Sequence, residues 1–271
     1  MQDNIIDWNT KYPVLSWKGH EWQLDAEAHR KIHPDYPYEY YWGGSVTENW
    51  QGVILTIKDL PQKVSHWNGE IYNSKYARGM IRSVDAMTYG TYTLKCILPN
   101  GRGLHSSFWL SARDSWPPEI DIFEAYSNRC GGYFTWPAKV WPNIARPGYR
   151  VRSNIHYGSR DNHFEIDPED CFLEDLRKPI LHSNEYKLVW KPDEIAIYYN
   201  QHLVRLICDT VNPELFNQLN KSPWMNVMID IGVWEDDLDK NLEMREFQKH
   251  PDWRPEFILE NFEYKPLDLE K

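Results

Sequence analysis

Apolar and polar positions alternate in short runs along most of this chain, and turn residues close each run. GVILTIKDL (52–60), GMIRSV (79–84), GTYTLKCILPNG (90–101), SSFWLSA (106–112) and PEIDIFEAY (118–126) carry the two-residue period of strands. YKLVWKPDEIAIYYNQHLVRLICD (186–209) predicts three strands, with turns at Lys191–Glu194 and near Asn200 and Gln201. WMNVMIDIGVW (224–234) and EFILENFEYKPL (256–267) complete the set. Only NPELFNQLN (212–220) predicts a short helix, and the charged stretch 235–255 reads as a surface loop. So many strands with so little helix predict an all-β fold. Two curved antiparallel sheets stacked as a sandwich fit the length as one domain over residues 1–271, with a concave face free to take a long ligand.

The composition narrows the ligand. Of 271 residues, 41% are hydrophobic, enough for one large core. The 14 Trp and 17 Tyr exceed what a core needs and offer platforms for flat, partly apolar ligands. A net charge of −10 argues against nucleic acid, whose phosphates favour basic surfaces. No apolar run is long enough for a membrane span, and MQDNIIDWNTKYP has no basic and apolar leader pattern. Cys96, Cys130, Cys171 and Cys208 form no CxxC pair, which removes a zinc ribbon and leaves mostly reduced thiols as the expectation.

WPPEIDIFEAY (116–126) sets three carboxylates among residues that belong in a core. Alternation puts Glu119 and Asp121 on one face and Ile120 and Ile122 on the other. Continued strictly, it buries Glu124 without a partner, which is costly. One extra residue, a β-bulge, returns Glu124 to the face of the other acids. Glu119 and Glu124 then lie about 13 Å apart at Cα, and inward-leaning side chains can approach the ~5–5.5 Å of a retaining glycosidase. Like charges so close raise at least one pKa, keeping a proton available. The same spacing fits a solvated strand face or a calcium site.

The residues also resemble a family. EIDIFE is similar to the E-x-D-x-x-E signature of the bulge-containing branch of glycoside hydrolase family 16, which includes laminarinases and agarases. GMIRSVDAMTYGTYTLKCILPNGRGLHSSFWL (79–110) resembles that family's approach to its catalytic strand. SNIHYG (153–158), YKLVWKPDEIAIYYNQHLV (186–204) and WMNVMIDIGVW follow in the family's order. The resemblance implies a β-jelly-roll and endo-cleavage of a polysaccharide by a retaining mechanism. Glu119 would be the nucleophile, Asp121 the assisting acid and Glu124 the general acid/base. Trp109 would be a sugar platform beside the nucleophile, and His156 would touch sugar near the acid/base. Trp136 and Trp234 would stack on sugars further along, and Arg82 would bond a sugar hydroxyl.

Departures shape the substrate expectation. HSSFW (105–109) lacks the first aromatic of the laminarinase WPAFW. Its wording leans towards agarases, while the His-Tyr-Gly segment leans towards glucanases. β-1,3-Glucan and agar-type galactan are therefore the expected substrates. The acidic surface disfavours a heavily sulfated polymer unless arginines such as Arg82, Arg102, Arg113, Arg146 and Arg150 reverse the local sign. No cofactor is required, and Asn261, where the family often has Asp, weakens a structural calcium site without removing it. A monomer acting outside the cell or on a particle is expected. The rivals are a lectin-like binding module, which needs no carboxylate pair, and a polysaccharide-cutting part of a phage particle.

Overall fold

The computed structural model describes residues 13–24, 39–65, 69–100, 104–113, 116–126, 150–171, 182–233 and 253–268. In chain order the strands are β1 (Val14–Trp17), β2 (His20–Gln23), β3 (Glu39–Tyr41), β4 (Val46–Asn49), β5 (Gly52–Ser65), β6 (Ile71–Arg78), β7 (Met80–Ser83), β8 (Gly90–Ile97) and β9 (Leu104–Ala112). Then come β10 (Glu119–Tyr126), β11 (Arg150–Gly158), β12 (His163–Cys171), β13 (Asn184–Trp190), β14 (Glu194–Tyr199), β15 (His202–Cys208), the helix α1 (Pro213–Lys221), β16 (Met225–Val233) and β17 (Glu256–Pro266).

They form two sheets of a jelly-roll sandwich. The first runs β1-β2-β7-β16-β9-β10-β11-β12, and the second β15-β14-β13-β8-β17-β5-β6-β3 with β4 on β5. All pairs are antiparallel except β3 with β6, which is parallel and departs from the expected purely antiparallel sheets. The predicted turns of 186–209 are present. The Lys191 amide donates to the Glu194 carbonyl, and Asn200 and Gln201 adopt the left-handed backbone that a tight hairpin requires.

The core lies between the sheets. Alternate residues of β9, β10 and β16, among them Phe108, Leu110, Ile120, Val227 and Ile229, meet Tyr92, Leu94, Tyr186, Leu188 and Phe257 of the second sheet. The Trp residues divide as the composition suggests. Trp17, Trp22 and Trp190 are core, while Trp50 and Trp224 are exposed. Cys96 and Cys208 are free thiols. No helix among the described residues is long and apolar enough to cross a membrane.

Candidate active site

β10 carries the bulge that the acid spacing requires. Against β9, Asp121 pairs with Trp109 and Phe123 with Phe108, so Ile122 is the additional residue. Against β11, Asp121 pairs with Asn154 and Glu124 with Arg152. Ile122 and Phe123 both enter the core. Glu119, Asp121 and Glu124 consequently occupy successive same-face positions, opposite Ser111, Trp109 and Ser107 of β9.

Register turns these positions into rows across the sheet. The first row reads Asn226, Ser111, Glu119, His156, Glu165. The second reads Arg82, Met228, Trp109, Asp121, Asn154. The third reads Met80, Asp230, Ser107, Glu124, Arg152. Residues far apart in sequence thus become neighbours on one face, because paired residues of adjacent strands point the same way.

Each acid has its own setting. Trp116 Nε1 donates to Glu119 Oε2 at 2.9 Å, and His156 Nε2 lies 3.7 Å from Glu119 Oε1. Burial, then the charge of Asp121, pushes the Glu119 carboxyl well above the ordinary range, against the opposing Trp116 bond. Asp121 meets His156 Nε2 at 3.1 Å; burial raises its carboxyl further than His156 lowers it. Glu124 behaves oppositely. Burial alone would raise it, but His105, Arg152 and Tyr126 together hold it at about 2. Arg152 Nε and the Tyr126 hydroxyl each donate to it at 2.9 Å, and His105 Nε2 lies 3.6 Å away. The imidazole of His156 is lowered by burial but raised more by the bond and charge of Asp121, then by Glu165 and Glu124, so it favours the cation.

The other expected site residues fall in three groups. Trp109 is half-buried opposite Asp121, one row from Glu119, and its Nε1 donates to Asp230 Oδ1 at 3.1 Å. Asp230 is itself held by Ser107 and by Arg78, at 3.5 Å from the latter. Arg82 shares the Trp109 row but spends one nitrogen on Asn226 Oδ1 at 2.8 Å. Antiparallel register sets His156 opposite Glu119, two rows from Glu124. Trp136 and Trp234 lie outside the described residues, as do Arg102, Arg146 and most of the charged loop.

Several residues were not foreseen. Trp116 was quoted in the sequence stretch without a role; its position three residues before Glu119 was the available signal. Arg152 is the guanidinium that reaches the carboxylates, yet it was absent from the five arginines considered. The relation of His105 and Asp230 to the acids exists only once the strands pair, whereas Tyr126 lies two residues beyond Glu124 on the same strand, and alternation was the available signal.

Comparisons with known proteins bear on the family and the fold. Endo-1,3-1,4-beta-glycanase ExsH of Rhizobium meliloti (strain 1021) is 31% identical over 121 residues, covering 43% of this chain and 25% of the relative. EglC of the same organism, which bears the same description, is 30% identical over 124 residues, or 44% and 25%. The match thus spans about a quarter of either relative's length. Among solved structures, porphyranase B of Zobellia galactanivorans superposes with a TM-score of 0.64 at 15% identity over 93% of this chain and 87% of that one. A GH16 protein from the mixed linkage glucan PUL of Bacteroides ovatus, in complex with a product, gives 0.61 at 15% identity over 94% and 98%. These likenesses speak to the fold. The family described as Glycosyl hydrolases family 16 matches residues 37–254, most of both sheets and all three acids, and the chain belongs to it.

Proposed function

We propose that the protein is a retaining, endo-acting glycoside hydrolase that cleaves internal β-linkages of a polysaccharide. The observation that carries this reading is the bulge at Ile122, which brings Glu119, Asp121 and Glu124 to one open face. A solvated strand face needs neither the burial nor the dedicated partners that these acids have.

In this reading a Glu119 oxygen attacks the anomeric carbon and forms a glycosyl ester as the bond to the leaving oxygen breaks. Glu124 gives that oxygen its proton, then takes one from the water that cleaves the ester. Asp121 hydrogen-bonds Glu119 and shares its charge. Trp109 supports the sugar ring, and His156 and Arg82 bond its hydroxyls. No cofactor enters, and the chain acts as a monomer.

Before substrate binds, the surroundings bias the two carboxyls the other way. Burial favours neutral Glu119, and Arg152 favours ionised Glu124. In this reading substrate binding draws Arg152 away from Glu124. Once the guanidinium withdraws, burial raises Glu124, while the Trp116 N–H remains to stabilise Glu119 as it ionises.

A β-1,3-glucan such as laminarin is the first substrate of this reading, and the relatives described as endo-1,3-1,4-beta-glycanases add a polymer with both 1,3 and 1,4 β-linkages. The HSSFW wording keeps an agar-type galactan as the second substrate. The test is a reducing-end assay of the wild type and Glu119→Gln on laminarin, lichenan, agarose, porphyran, κ-carrageenan and xyloglucan. Activity on one polymer that is lost in the variant, with binding retained, is the expected result. Silence on every polymer, with binding to one, would replace the hydrolase by a lectin-like module.

A further inference from the structure

The β11–β12 hairpin carries a cluster of donors of which the proposed hydrolysis uses only His156. His156 and Glu165 are direct cross-strand partners, and His163 lies two residues before Glu165 on the same face. Alternation therefore aims all three side chains to one side. The hairpin closes tightly at the amide–carbonyl exchange between Ser159 and Asn162. Gly158 sits there with a φ of 98°, and a Cβ on it would meet the Asn162 carbonyl at 2.3 Å, so only glycine permits this closure.

The donors converge. His156 Nδ1 is 2.8 Å from His163 Nε2 and 3.5 Å from Glu165 Oε1. All three donor atoms lie within 4.8 Å of one another. The two imidazoles are stacked, with centroids 4.9 Å apart and planes 16° from parallel, and the Trp116 ring covers His163 at 5.0 Å. Facing ring nitrogens at that distance share one proton, and a metal ion can take the proton's place. Tetrahedral zinc at ~2.0–2.1 Å from each nitrogen needs them roughly 3.3 Å apart, a shift of about half an ångström.

The far side of His156 supports the same reading. Its Nε2 meets Asp121 at 3.1 Å. A carboxylate on one ring nitrogen, leaving the other to face a ligand position, is the usual outer support of a metal-bound histidine. Two imidazoles and one carboxylate select a borderline transition-metal dication; calcium prefers oxygen donors alone.

We propose that His156, His163 and Glu165 form a binding site for Zn2+ or a similar transition-metal dication, with Asp121 orienting His156 from behind. Three protein ligands leave at least one position for water. The metal would couple to the carboxylate row through one imidazole, fixing the His156 ring beside Glu119 and Asp121. All three ligands come from the hairpin, and the site does not depend on which reaction the acids perform.

The experiment is calorimetric titration of metal-stripped protein with Zn2+. The wild type is expected to bind one ion that His163→Ala and Glu165→Gln each weaken, by more than the ~10- to 100-fold that loss of an outer partner alone can cost. Glu119→Gln should bind as the wild type does. Glu165 is partly exposed, so its variant keeps the test valid where His163→Ala folds poorly, and thermal melts without metal verify both. In 15N spectra the ring resonances of His156 and His163 should shift at one equivalent of Zn2+. Absence of saturable binding at millimolar Zn2+ would overturn the site. So would wild-type affinity in His163→Ala, or loss of binding in Glu119→Gln, which would move the ion to the carboxylates.

Discussion

The Tyr199 hydroxyl crosses the sandwich and donates to the Ile122 carbonyl at 2.8 Å. Ile122 is the additional residue of the β10 bulge and has no partner residue on β9 or β11. A bulge leaves its extra residue outside the ladder, and a buried polar group without a partner is costly. Tyr199, fully buried on β14 of the opposite sheet, satisfies that carbonyl and thereby secures the arrangement that aims Glu124 outward.

Tyr199→Phe is therefore expected to lower stability by about 1–3 kcal/mol, the cost of leaving the carbonyl unsatisfied. Turnover should fall as well, since the bulge loses its anchor. Urea unfolding beside an assay on the preferred polymer checks both. A destabilised variant with unchanged turnover would show that the strand pairs hold the bulge unaided.

Trp116→Phe keeps an aromatic ring near His163 but removes the N–H donated to Glu119. A hydrogen bond to a charged group contributes about 1.5–3 kcal/mol, so kcat should drop roughly 10- to 100-fold. KM should change little, because the indole N–H acts on the carboxylate. Steady-state kinetics separate the two constants.

Arg152→Gln tests the charge state of Glu124. The folded pKa of about 2 lies below the ordinary 4.5, so the pair's stabilisation is complete above pH 4.5 and is lost as pH falls towards 2. At neutral pH the variant should lose about 3 kcal/mol, the low end for breaking a buried pair, because Tyr126 and His105 remain. Its deficit should shrink in acid. The basic limb of kcat/KM should also move to higher pH, since Glu124 then keeps its proton longer. Unfolding curves and a pH–rate profile provide the readouts.

Trp109→Ala should raise KM about tenfold, the equivalent of ~1.4 kcal/mol of lost stacking. The indole is tethered to Asp230, so Asp230→Ala should produce part of the same effect with the ring still present. Oligosaccharide binding measured on both variants distinguishes lost surface from lost orientation.

The strands read best from sequence were those whose neighbours also lie in the core. GTYTLKCILPNG and YKLVWKPDEIAIYYNQHLVRLICD alternate cleanly because one face meets the opposing sheet, and Asn200 and Gln201 punctuate the hairpin. β12 was not read as a strand: it ends the first sheet, and HFEIDPEDC has little apolar pattern to announce it. The carboxylates were legible because the site's central problem, an acid on the wrong face, is local to one strand. Arg152 was not, since it meets Glu124 only through pairing of β10 with β11, 28 residues apart. That His156 stands opposite Glu119 was not legible for the same reason. A motif orders residues along a strand, whereas register decides who stands beside them.

The bulge gives the two sides of β10 different tallies. The outer side counts Glu119, Asp121, Glu124 in step with alternate residues of β9, as an unbroken strand reading Glu-x-Asp-x-Glu would. The inner side holds both Ile122 and Phe123 where such a strand would offer one side chain. Excising Ile122 would therefore leave the carboxylate spacing intact, while opening a void behind it and leaving Tyr199 without its acceptor. A single codon at this point therefore leaves the outer row in register, and its consequences appear in the thickness of the interior.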